Sequence, residues 1–273
     1  MQMIDFEYNG EKLSDRNLML CSFDGTNDEV EVANQVSINK VKTPNSNKSM
    51  AVGSSYDDDL SRQFSICKNV CDGDGDLTIS DTELNGIMRW LNRKRFCKFK
   101  PIYDNGSFKN VYFNGTFNVS LVKVGDNVIG LNLTLNTDSP FGYIEPLTYN
   151  YTFNNANTSL VIDDTSDEIG HIYCTAIIKC LEAGDLKISN SLDTDNTVVI
   201  KNCVANEVIT LHGEQKIIES SKTHKTLHND FNYNYLRVNN TYENVKNIFT
   251  SSLDCEITIS YSPIRKVGLI VWF

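Results

Sequence analysis

"TFNVSLVKVGDNVIGLNLTLNT", residues 116–137, decides the fold class. Phe117, Val119 and Leu121 alternate with polar neighbours, the period-two pattern of a half-buried strand. Lys123 ends that apolar face, and Val122 and Val124 fall on the other side. After Gly125-Asp126-Asn127 a second run carries Val128, then Leu131, Leu133 and Leu135. The phase slips at Gly130, and a glycine at such a slip marks a bulge. Two alternating runs across a short Gly/Asp/Asn break predict a β-hairpin. "DNGS" at 104–107 is a further Asn-Gly turn signal just upstream.

The pattern extends outward. "HIYCTAIIKC", "DLKISNS", "NTVVIKNC", "EVITLHG" and "CEITISYS" are short strands between Gly, Asn and Asp turns. Strands at this spacing without intervening helices indicate an antiparallel sandwich or barrel. Pro140, Gly142 and Pro146 interrupt the pattern in "TDSPFGYIEP". The 273 residues therefore read as mainly β and as two domains, 1–145 and 146–273. Segments 24–60 and 219–234 are polar and are expected to hold long loops.

Composition narrows the function. A net charge of -10 argues against a phosphate-backbone binder, which needs clustered Lys and Arg. The N-terminus lacks a basic start followed by an apolar run, so no signal peptide is expected. No apolar run approaches the length of a membrane-spanning helix, and no membrane insertion is expected. Eight cysteines are scattered without a C-x-x-C pair and read as reduced thiols.

One helix interrupts the strands, expected over 81–93. Leu84, Ile87, Met88 and Leu91 form an i, i+3, i+4, i+7 stripe. Leu91 is expected to pack on the N-terminal sheet. Trp90 lies beside the stripe and is expected at a sheet edge or against a neighbouring subunit. The approach to this helix, "CDGDGDLTISDTEL" at 71–84, supports two readings. Asp72, Asp74, Asp76 and Glu83 take positions one, three, five and twelve of a calcium loop. Position six, which makes a sharp turn and wants glycine, is Leu77. Alternatively Ser80 and Glu83 form an S-x-x-E capping box, with Asp81 adding charge in the first turn. The Leu77 mismatch favours the cap, so no metal and no cofactor are expected.

His224 and His228 are spaced as zinc ligands on a helix would be. Their surroundings lack an apolar period, so a loop is expected. There is no G-x-S-x-G elbow, P-loop or dinucleotide fingerprint, and an enzyme is not expected. The aromatics of "FNYNYLRV" read as core, with a carbohydrate platform as the alternative.

The order of these features resembles the distal tail proteins of long-tailed phages and prophages of Gram-positive bacteria. The features are an N-terminal strand pair, the capped helix "SDTELNGIMRWLNRKR", the meander closing on Ser-Pro-Phe-Gly-Tyr, and a Tyr-x-Pro-x-Arg run near the end. Glu83, Trp90, Leu91, Pro140, Phe141, Tyr261 and Arg265 fall on the matching positions, as fold-signature residues. The resemblance implies an N-terminal β-domain that forms a homohexameric ring and a C-terminal galectin-like β-sandwich that faces outward. It implies a place at the virion tail tip, after assembly in the host bacterial cytoplasm. The partners it implies are tail tube protein above and the tail-associated fibre or lysin protein below, with receptor-binding proteins nearby. DNA would pass through the ring without specific binding. The strands of 110–137 are candidates for the ring interface, since a neighbour could complete their edges. A carbohydrate-binding β-sandwich that contacts the host surface is the alternative function.

Overall fold

A computed structural model describes residues 2–23, 36–56, 59–70, 76–106, 109–222, 224, 226–241 and 246–266. Two compact units emerge among the described residues: 2–143 with Lys266, and Ile144–Arg265.

The first unit is built on antiparallel strands. They are β1 (Met3–Tyr8), β2 (Glu11–Lys12), β3 (Leu18–Cys21), β4 (Val36–Lys42), β5 (Ser49–Tyr56), β6 (Ser61–Lys68), β7 (Cys97–Tyr103), β8 (Val111–Val124), β9 (Asn127–Thr137) and β10 (Gly142–Ile144). The main sheet runs β2-β1-β7-β8-β9-β6-β3. The long hairpin β8/β9 lies at its centre, in the register the alternation demands: Phe117 faces Leu135 and Val119 faces Leu133. The register slips where Val122 faces Gly130 and Lys123 faces Val128, so the glycine marks a bulge. A Cβ at Gly130 would lie 2.2 Å from Phe23 Cζ and 2.7 Å from the Ile66 carbonyl oxygen. Only glycine lets these strands approach that closely. The apolar alternation outruns the core. Phe117 is buried, Val119 is half-buried, and Leu121 and Val124 at the far end are exposed.

The polar stretch 24–60 was expected to be loop. Its described part forms the hairpin β4/β5, a two-stranded sheet of its own, with Val36 opposite Tyr56 and Val41 opposite Met50. Its sequence lacks clean alternation because neither face is covered among the described residues, so the apolar residues need not keep to one side.

The helix α1 is Asp81–Leu91, two residues shorter than the stripe and the basic "RKR" suggested. Asn92 leaves helical geometry while its N–H still bonds the Met88 carbonyl. The buried side chains are Ile87, Trp90 and Leu91, and Met88 turns outward to line an open groove with Asn85, Arg89 and Asn92. Trp90 therefore belongs to the core of its own chain and covers neither a sheet edge nor a neighbour. Its ring stacks on Phe6 at 5.7 Å with 3° between planes, and its Nε1 donates to the Tyr8 carbonyl at 2.9 Å.

The second unit continues with β11 (Leu147–Phe153), β12 (Ser159–Ile162), β13 (Gly170–Tyr173), β14 (Thr175–Cys180), β15 (Gly184–Asn190), β16 (Val198–Cys203), β17 (Val208–His212), β18 (Ile217–Ser220), β19 (Arg237–Asn240), β20 (Asn247–Ser251), β21 (Cys255–Tyr261) and β22 (Ile264–Arg265). One sheet is ordered β11-β21-β14-β17-β18 and the other β12-β20-β15-β16, with β13 and β19 paired separately. Inward residues of both sheets, among them Ile178, Ile209, Ile257, Leu186, Ile188 and Phe249, share one core, which makes this unit a β-sandwich. Its buried asparagines are paired with one another. Asn190 donates to the Asn247 side chain at 2.8 Å, and Asn247 returns to the Asn239 backbone, donating at 3.0 Å and accepting at 2.8 Å. The expected loop at 219–234 contains a short helix α2, Leu227–Asp230.

Leu91 is fully buried in the first core. Leu91→Ala is expected to destabilise the protein by about 2–5 kcal/mol. Urea denaturation followed by tryptophan fluorescence measures it, and a wild-type midpoint would place Leu91 outside the core.

Candidate functional site

Three groups of side chains carry the features singled out in the sequence. The first is the entrance to α1. Ser80 N donates to Glu83 Oε2 at 2.8 Å, and Glu83 N donates to Ser80 Oγ at 3.4 Å, which closes the capping box. Ser80 Oγ also donates to Glu83 Oε2, at 2.7 Å, and Lys68 Nζ lies 3.0 Å from Oε1. Both carboxylate oxygens of Glu83 are thus engaged within the chain. The Ser80 hydroxyl and backbone, then Lys68, hold its pKa down at about 2 against the opposing effect of burial. Asp76 accepts from Thr78 N at 2.8 Å, and that bond holds its carboxyl below the usual range. Leu77 does not take positive φ, so the chain lacks the sharp turn of a calcium loop there. Asp72 and Asp74 lie outside the described residues.

The second group gathers the other signature positions. Phe141 sits edge-on to Tyr56 at 4.7 Å, and its N–H donates to Ser139 Oγ. Half-buried Pro140 lies between them in sequence, in a turn that Thr137 Oγ1 closes by donating to the Ser139 carbonyl at 2.7 Å. This turn secures the base of the β4/β5 hairpin through Tyr56. In the second unit Tyr261 is buried and stacks on Tyr149 at 6.3 Å. Burial beside Asp164 pushes its hydroxyl pKa up. Arg265 lies 3.4 Å from Asp167 and donates to the Thr165 carbonyl, which fastens residues 165–167. These positions anchor turns and cores, and none is an acid, base or nucleophile poised in a cleft.

The third group was not legible in the sequence. His224 and His228 do not share a helix. The exposed His228 only accepts a hydrogen bond at its carbonyl, from Tyr233. The His224 side chain is 6% exposed and lies between two carboxylates, with Nδ1 at 3.0 Å from Glu207 and Nε2 at 3.1 Å from Asp230. Glu207 also accepts from Ser220 Oγ at 2.6 Å and Val204 N at 2.9 Å. Asp230 accepts from Thr226 and from Asn202 Nδ2, the latter at 3.0 Å. Burial works against charge on His224, but its bonds to Glu207 and Asp230 outweigh it and raise the pKa. Burial likewise opposes ionisation of Glu207, and the hydrogen bonds it receives still lower its pKa. Asp230 is lowered, first by Thr226. Every acceptor is occupied, so the cluster works as a tie between strands and loop.

The outstanding surface is the β4/β5 hairpin. Val36, Ile38, Val41, Met50 and Val52 are all at least half exposed. An isolated two-stranded ribbon is marginally stable at best in water, and this one presents aliphatic side chains on both faces.

The described residues thus form a sheet domain with a docked helix, a β-sandwich and an apolar hairpin that none of them covers. The profile of the phage tail protein N-terminal domain matches residues 1–139, and that of the phage tail C-terminal domain matches residues 141–261. The chain belongs to this phage tail protein family. Its fold is also that of SPP1 Dit (gp 19.1), whose crystal structure is titled a paradigm of hub adsorption apparatus in Gram-positive infecting phages. The TM-score is 0.63 at 10% identity, over 97% of this chain and 100% of that one. A chain from the phage P2 baseplate in its activated conformation with Ca has a TM-score of 0.48 at 9% identity, over 95% of this chain and 98% of that one. No curated protein matches.

Two outcomes follow from the site. Ser80→Ala is expected to cost about 1 kcal/mol through the lost cap, read from chemical denaturation. The raised pKa of His224 implies stability present below its unfolded value of about 6.5 and lost as pH rises through the folded value. The lowered pKa values of Glu207 and Asp230 add stability that disappears as pH falls. Melting temperature is expected to drop in wild type as pH rises from about 6.5 through the raised folded value of His224, and His224→Gln is expected to flatten that drop.

Proposed function

We propose that this protein is the hub at the distal end of a phage tail. Its N-terminal unit closes into a homohexameric ring that continues the tail tube. The C-terminal sandwich faces outward and is not needed for closure. The ring joins tail tube protein on one side to the tail-associated fibre or lysin protein on the other, close to the receptor-binding proteins. The role is architectural, without catalysis, in a phage or prophage of a Gram-positive host, and the subunits assemble in the bacterial cytoplasm.

The observation that carries this reading is the β4/β5 hairpin, an apolar arm without cover among the described residues. A second copy is its natural occupant, because a head-to-tail contact repeated around a closed ring buries every arm identically. The hairpin joins the strands of residues 110–137 as a candidate for that contact. β9 lies between β8 and β6, whereas β7 pairs with β8 only at residues 113–115. The net charge of -10 suits a channel that passes DNA without holding its phosphates. The glycan-binding alternative has less support. In "FNYNY", Phe231 and Tyr235 are buried and only Tyr233 is well exposed, and one ring makes a poor sugar platform.

Electron microscopy of the concentrated full chain tests the proposal. Six-fold rings are expected. Ile38→Lys combined with Val41→Lys is expected to abolish them while leaving the circular dichroism spectrum unchanged. Two-fold dimers would overturn the ring, and rings that survive the double variant would overturn the arm's role.

A further inference from the structure

The edge strand β3 pairs with β6 so that Cys21 faces Ser65 and Met19 faces Cys67. Residues two apart on a strand share a face, so Cys21 and Cys67 are diagonal neighbours on one side of the sheet. Each thiol perturbs the titration of the other. Cys67 is nearly buried and Cys21 is partly exposed, so reagents reach the pair through Cys21. The neighbouring Cys21 outweighs burial at Cys67 and brings its pKa down to about 7, while Cys67 and burial push Cys21 up. A thiolate at neutral pH thus lies diagonally across from a second thiol.

We propose that Cys21 and Cys67 form an oxidation site, closing to a cross-strand disulfide when the folded protein meets a small-molecule disulfide such as oxidised glutathione. Cys21 passes its proton to the Cys67 thiolate, attacks one glutathione sulfur, forms a mixed disulfide and expels a glutathione thiolate. Cys67 gives that proton to the expelled thiolate, attacks the Cys21 sulfur and expels the second glutathione. Two protein thiols are oxidised to one disulfide, and one glutathione disulfide is reduced to two thiols. Diagonal Cα atoms lie about 7–8 Å apart, beyond the usual span of a bridge, so closure draws the two strands together. β3 can make that shift because it ends the sheet order and, among the described residues, pairs with β6 alone.

The location gives the bond a purpose. The chain between Cys21 and Cys67 carries the entire β4/β5 hairpin. The disulfide would staple the two roots of that arm together. The cysteines of the sandwich differ. Cys180, Cys203 and Cys255 are at most 2% exposed, closed to such a reagent in the folded state.

The test oxidises the folded full chain with oxidised glutathione, alkylates the remaining thiols and maps peptides without reduction. A Cys21–Cys67 linked peptide is expected, with an intact mass lower by two hydrogens. The melting midpoint is expected to rise, and dithiothreitol is expected to reverse both changes. Cys21→Ser is expected to lose the bridge and the shift in midpoint with an unchanged near-ultraviolet spectrum. Alkylation of both thiols after oxidation, lasting glutathione adducts on them, or a bridge from either to Cys71 would each overturn the proposal.

Discussion

The indole of Trp90 is the point on which the N-terminal unit depends. Its face lies on Phe6 and its N–H satisfies the Tyr8 carbonyl, so one side chain binds the last turn of the helix to the first strand. Around it Phe6, Phe64, Phe99 and Phe117 meet at ring separations of 5.2–6.2 Å. Such pairs add about 0.5–1.5 kcal/mol each beyond their burial. Removing Trp90 would leave an unpaired carbonyl in an apolar surrounding as well as a void. The helix stops at Leu91 because both Trp90 and Leu91 must enter the core, and the basic residues that follow cannot. Arg16 caps the arrangement from outside, its guanidinium 4.8 Å from the indole.

Local chemistry was legible and distant chemistry was not. The hairpin of 116–137, its bulge at Gly130 and the Ser80–Glu83 box each depend on residues close in sequence, and alternation or spacing exposes them directly. The sandwich was readable for the same reason, since its strands keep period two. The direction of Trp90 was not legible, because the i, i+4 stripe points to Met88 and only the stack on Phe6 rotates the buried face. The β4/β5 strands escaped notice because alternation reports a buried face, and this ribbon lacks one among the described residues. The tie among Glu207, His224 and Asp230 joins residues brought together by folding, so the spacing of His224 and His228 pointed to the wrong pair.

The two units satisfy their interiors differently. The first relies on aromatic rings, with few polar atoms inside. The second buries amides and ions: Asn190, Asn239 and Asn247 form a closed network, and Arg237 grips Asp193 with contacts of 2.7 and 2.6 Å. A strand that slipped by one residue in the sandwich would strand these groups without partners, at about 1–3 kcal/mol for each. Register there is enforced by polar satisfaction as well as by the apolar pattern.

The hairpin also sets a problem of solubility. A flat ribbon with exposed aliphatics and two free edges is a template for indiscriminate strand addition. Lys40 and Lys42 on one strand and Lys48 at the turn are all exposed among those aliphatics. Cations in that position discourage stacking of like ribbons and act as gatekeepers against aggregation. A mutation that neutralised them would leave the folded chain intact and still shorten the life of the free subunit, because its most adhesive element would have lost its guard.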